Sequence, residues 1–108
     1  MSDAPVDVAT WSETTTADNA AATATHVAKS GDEHYVVSVH ASYSVANVGL
    51  VTLKDGSTII ANFYAHDQMN IVFTKPLRIT SGAAVELELA ASGVGGQIGA
   101  VVLTGFTI

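Results

Sequence analysis

From Ala20 to the last residue, short runs of alternating apolar and polar residues follow one another, each closed by a turn residue. A period of two is that of a strand, whose successive side chains point to opposite faces, and the spacing leaves little room for helices. In Tyr35 to Ser44 the positions Tyr35, Val37, Val39, Ala41 and Tyr43 share one face, while Ser38, His40, Ser42 and Ser44 share the other with Val36. Val85, Leu87 and Leu89 alternate with Glu86, Glu88 and Ala90, a half-buried strand whose acidic side must meet water or a basic partner. From Gln97 to Ile108, Ala100, Val102, Thr104 and Phe106 fall on one side and Val101, Leu103 and Ile108 on the other, which places a long core strand last.

Leu50 to Lys54 and Ser57 to His66 flank Asp55-Gly56, a dipeptide that tolerates positive φ at both central turn positions and predicts a tight type I′ hairpin. Its second arm sets Ile59, Ala61, Phe63 and Ala65 against Ile60, Asn62, Tyr64 and His66. Pro76 lacks the amide a central ladder needs, so Met69 to Phe73 and Leu77 to Thr80 read as two runs parted by a bend, an edge or a crossing between sheets. Ala22 to Lys29 carries the weakest strand pattern, and a helix stays open there.

Met1 to Asn19 is different: scattered acids, Thr14 to Thr16 in a row and one large apolar residue, Trp11. It reads either as a frayed terminus or as an extended arm that docks on a neighbour through Trp11. The division is therefore an arm at 1–19 and a domain at 20–108. About eight strands after the arm, with no βαβ alternation, predict an all-β fold of two packed antiparallel sheets. A jelly roll is the first choice and an immunoglobulin-like sandwich the second.

A chain of 108 residues suits one domain. It has no cysteine, so disulfides and thiolate metal sites are excluded. Ten acids stand against Lys29, Lys54, Lys75 and Arg78, a net charge of -6 with no cationic stripe, so neither nucleic acid nor a membrane surface is an expected partner. The first twenty residues hold no basic-then-apolar leader, and no run reaches the roughly eighteen apolar residues of a spanning helix, so a soluble, unexported chain is expected.

No pair among His26, His34, His40 and His66 stands at His-x-His or His-x₃-His spacing, which favours surface or hydrogen-bonded imidazoles over metal ligands. Glu86 and Glu88 share one strand face, whereas a glycosidase pair comes from separate strands across a cleft. Ser92 to Gly96 is glycine-rich but lacks the lysine of a phosphate loop, and Gly-x-Ser-x-Gly does not occur. The expectation is no catalytic residue, no cofactor and no metal.

Three stretches, VVSVHASYSV, LKDGSTIIANFYAHDQMNIVFTKPLRI and AVELELAASGVGGQIGAVVLTGFTI, together resemble the small jelly-roll structural proteins of tailed bacteriophages, above all their capsid decoration or cement proteins. The resemblance runs from Ala20 to Ile108 and consists of a strand pattern, a Pro-Leu bend and a glycine-flanked last strand. It implies a homotrimer made in the host cytoplasm that sits on the capsid exterior of the virion and clamps neighbouring major capsid protein subunits, without a cofactor. The contact candidates come from this sequence itself: Trp11 on the arm, the small-residue faces around Ser38, Ser42 and Ser44, and Tyr64 with His66. Three rivals stay open: a head-fibre or tail accessory protein on the same fold, a carbohydrate-binding module stacking sugars on Tyr64 and Trp11, and a cupin-type enzyme, whose ligand spacing is missing.

Overall fold

The computed structural model describes residues 9–108. Eight strands follow in order: β1 Ala9–Asp18, β2 Ala22–His26, β3 His34–Tyr43, β4 Val48–Asp55, β5 Thr58–His66, β6 Gln68–Arg78, β7 Val85–Leu89 and β8 Ile98–Thr107. The tight β4–β5 hairpin is the centre of a nested set, because β3 pairs with β6, β2 with β7 and β1 with β8, all antiparallel. One long hairpin is thus rolled up on itself. Further pairings of β3 with β8 and β4 with β7 complete two sheets, β1-β8-β3-β6 and β2-β7-β4-β5, which is the order of a jelly roll. A single residue pair, His66 with Gln68, carries the ladder from one sheet to the other across Asp67.

The core lies between the sheets. Val36, Val39, Val101 and Leu103 from the first meet Val51, Leu53, Leu87 and Leu89 from the second, all fully buried. Each such side chain contributes roughly 1.5–3 kcal/mol of burial free energy.

Four expectations are corrected. Ala9–Asp18 is no arm: Trp11, Glu13, Thr15 and Ala17 turn inward and alternate with exposed Thr10, Ser12, Thr14 and Thr16, and the whole segment pairs with β8. Residues 1–8 of the expected arm lie outside the described residues. In β3 the ladder to β8 shifts between Val36 and Ser38, so Val37 is an extra residue and the pleat inverts there. Val36 therefore joins Val39, Ala41 and Tyr43 in the core, and Tyr35 turns away to stack on Phe106 at 5.0 Å between ring centroids.

Pro76 lies on an edge strand, one of the alternatives the sequence leaves open, but the two runs around it form one strand. The pairing to β3 jumps from Val36–Leu77 to Ser38–Val72, so 73–76 bulges out opposite Val37 and the missing proline amide falls in an unpaired stretch. The hairpin turn, finally, is closed by Asp55 and Thr58, with Gly56 at φ 60 and Ser57 outside the positive-φ residues. Positive φ at the first central position alone is the pattern of a type II′ turn with its glycine in front, rather than type I′.

Candidate functional site

The two outer faces differ in chemistry. On the second sheet, β4 sets Val48, Leu50 and Thr52 opposite His66, Tyr64 and Asn62 of β5. Tyr64 is 67% exposed, Val48 55% and Leu50 38%. The ladder slips at Ile60, which puts Ile59 opposite Lys54 and leaves it 54% exposed, apart from the Ala61, Phe63 and Ala65 with which simple alternation groups it. Val48, Leu50 and Tyr64 thus form an apolar patch with one aromatic ring on the β4–β5 half of this face. The next row is polar and parts it from Ile59: the Thr52 hydroxyl donates to Asn62 Oδ1 at 3.2 Å.

The β2–β7 half carries Glu86 and Glu88. Glu88 stands between Thr23 and Thr52 in register and accepts the Thr23 hydroxyl at 3.3 Å, while Glu86 lies opposite Lys54. These carboxylates belong to one strand, face solvent and meet no nucleophile.

Inside the sandwich, where β1 and β2 close its edge, the structure gathers residues that sequence spacing leaves far apart. The His26 ring stacks on Trp11 at 4.1 Å and 7°, and its Nδ1 lies 2.8 Å from Glu13 Oε2. His34 is buried and packs edge-on to His26 at 4.5 Å. Its Nε2 lies 3.1 Å from the Val27 carbonyl, an obligatory acceptor, so Nε2 carries the proton and Nδ1 accepts from the Thr107 hydroxyl at 2.6 Å. Thr107 Oγ1 in turn accepts from Trp11 Nε1–H at 3.0 Å. Every polar atom of His34 is satisfied within the protein, as a buried network requires. The cluster fastens β1 and β8 to the β2–β3 connection, and no group of three His, Asp or Glu among the described residues is placed to hold a metal.

Beside the β4–β5 turn, a shallow depression of about 410 Å³ is lined by Asp55, Arg78, Ile79, Thr80 and Ser81. Asp55 Oδ2 accepts from the Thr80 amide at 3.0 Å and its hydroxyl at 2.7 Å, which ties the β4–β5 turn to the segment after β6. Arg78 donates to Glu33 at 2.5 Å.

The six residues singled out from sequence do not form one site. Trp11 is half-buried and faces inward in β1, so it is not a free anchor. Ser38 and Ser42 lie on the outer side of the first sheet, with Ser38 hydrogen-bonded to Thr104. Ser44 sits past the end of β3, where its hydroxyl accepts the Ile98 amide at 2.9 Å. Tyr64 and His66 alone come together, on the apolar half of the second sheet. Sequence reasoning passed over Leu50 and Val48, because alternation marks which residues share a side and not which side an edge hairpin leaves uncovered.

No protein family matches the chain, and no curated protein does. Among solved structures, the chain is similar to the CBM36-1 domain of a multidomain xylanase from the hindgut metagenome of Trinervitermes trinervoides, at 15% identity and TM-score 0.48 over 86% of this chain and 74% of that one. It is also similar to the carbohydrate-binding module CBM36 in complex with calcium and xylotriose, at 18% identity and TM-score 0.39 over 88% of this chain and 76% of that one.

Proposed function

We propose that this chain is a non-catalytic docking module that binds a protein surface through the apolar half of its second sheet, as a decoration protein on the exterior of a tailed-phage head binds the major capsid protein. The observation that carries the docking surface is the patch of Val48, Leu50 and Tyr64, large exposed side chains in adjacent rows of an outer face, with Ile59 exposed beyond the Thr52–Asn62 row. Aliphatic side chains lose water favourably against another apolar surface but offer nothing to a sugar hydroxyl, and a central aromatic is a common binding hot spot. The phage partner rests on the resemblance of the strand pattern. Tailed-phage heads stripped of accessory proteins test it: the purified chain co-sediments with them, and Leu50→Asp, on an exposed position, loses binding while keeping its melting temperature. Heads that sediment free of the wild-type chain defeat the phage partner.

A carbohydrate-binding module is the second reading. It is favoured by the exposed Tyr64 ring with Asn62 and His66 at adjacent outward positions, a stacking surface flanked by hydrogen-bonding groups. Calorimetric titration with xylotriose and soluble xylan decides it: heat that vanishes in Tyr64→Ala supports a sugar site, and no heat at millimolar xylotriose and saturating xylan removes it for these ligands.

A further inference from the structure

Of the ten acids, Asp3 and Asp7 lie outside the described residues. None of the other eight stands in the middle of the outer face of the first sheet. One row across its four strands reads Thr14, Val102, His40, Asn70, and the next contains Ser38 and Thr104, whose hydroxyls bond each other. Val72, on β6, is 66% exposed. Lys75 is exposed in the bulge of the edge strand β6, and at the two ends Asp18 accepts the Gly96 amide at 2.8 Å and Glu33 holds Arg78. A centre depleted of charged side chains is one feature of a protein interface.

Size and charge together select the occupant. Three ten-residue strands and one of eleven, at roughly 3.3 Å per residue and 4.8 Å between strands, cover about 600 Å² in projection; side-chain relief brings the accessible area near the ~800 Å² per partner of a stable interface. Each copy of the chain carries a net charge of -6, so copies repel wherever acids meet, and a broad surface that brings no acid is where they approach most readily. A basic partner would instead select Glu86 and Glu88 on the other sheet.

We infer that the outer face of the first sheet is a self-association surface on which a second copy of this chain packs face to face. The same patch serves both copies, so the pairing is two-fold, and both second sheets remain free on the outside. A homotrimer, the assembly the phage resemblance implies, would need two different patches around a three-fold axis instead. The inference does not depend on what the second sheet binds.

Sedimentation velocity of the full chain from micromolar to millimolar concentration tests it. The expected species is a dimer. His40→Glu and His40→Lys, at the middle of the face, each weaken dimerisation by about 100-fold or more through like-charge contact across the axis, and an equimolar mixture of the two restores it. Leu50→Asp dimerises like the wild type, which separates this surface from the docking patch. If the His40 variants lose their far-UV dichroism, Val72→Glu and Val72→Lys on the exposed edge of the same face take their place. A wild-type monomer at millimolar concentration, a trimer, or charge variants that associate like the wild type would overturn the inference.

Discussion

Trp11 lies opposite Gly105 in the β1–β8 ladder, and its six-membered ring occupies the space that a Cβ on Gly105 would take. The Tyr35 carbonyl oxygen stands closer still to that position. Gly105→Ala forces Trp11 off its place over His26, an overpacking change worth roughly 1–3 kcal/mol. Trp11→Ala removes the ring and the donor to Thr107, and costs about 3 kcal/mol. Urea denaturation should show both losses, and the double variant should lose less than their sum by the part of the clash that the ring makes, while the contact with the Tyr35 carbonyl persists.

Removing 1–19 tests the strand against the arm. The truncation deletes β1, uncovers one edge of β8 and leaves His26 without Glu13 and Trp11. The expected outcome is a chain that aggregates or melts far below the full-length protein, since an exposed long edge is a template for association. An arm would leave the melting temperature unchanged.

That strand was hard to read for a physical reason. Its inward positions after Trp11 are Glu13, Thr15 and Ala17, so the alternation survives in the backbone while the apolar signal does not. Strands β4, β5, β7 and β8 are legible because large or branched apolar residues mark the core side or a turn residue marks the end, whereas β2, whose core side is only Ala22 and Ala24, leaves a helix open. The bulge at Val37 was invisible, since an extra residue leaves a run of the same length and only exchanges the faces of Tyr35 and Val36. Of the candidate surfaces, Tyr64 and His66 were legible as outward residues of a hairpin arm. The histidine cluster joins β1, β2, β3 and β8, and no spacing rule reaches across such separations.

Gly56 adopts φ 60 at the β4–β5 turn, in a region that L side chains rarely enter. Gly56→Ala should destabilise by about 1 kcal/mol or more, and Ser57→Gly by a few tenths, since Ser57 holds an ordinary φ. Comparing the two by thermal unfolding separates the type II′ turn from a type I′ turn, in which position 57 would gain from glycine.

The Tyr43 hydroxyl donates to the Ala90 carbonyl at 2.8 Å and fills the place of a Cβ on Gly49. Burial pushes the phenol up from its ordinary 10.0. The unfolded chain therefore loses this proton first as pH rises, so the tyrosine's contribution to stability is complete below about pH 10 and falls as pH climbs from there through the raised value. Tyr43→Phe should flatten that alkaline loss in urea denaturation between pH 8 and 11, at a cost of about 1 kcal/mol at neutral pH for the missing hydrogen bond.

Hydroxyl-radical footprinting of the chain on stripped phage heads tests the docking surface most directly. Leu50 and Tyr64 are open to oxidation in the free protein, on the face assigned to the partner, and Val72 is open on the other sheet. The expected result is protection of Leu50 and Tyr64 on the heads, with Val72 unchanged from the free self-associated chain. Tyr64 and Leu50 oxidised equally in the free and head-bound chain would contradict docking through the second sheet.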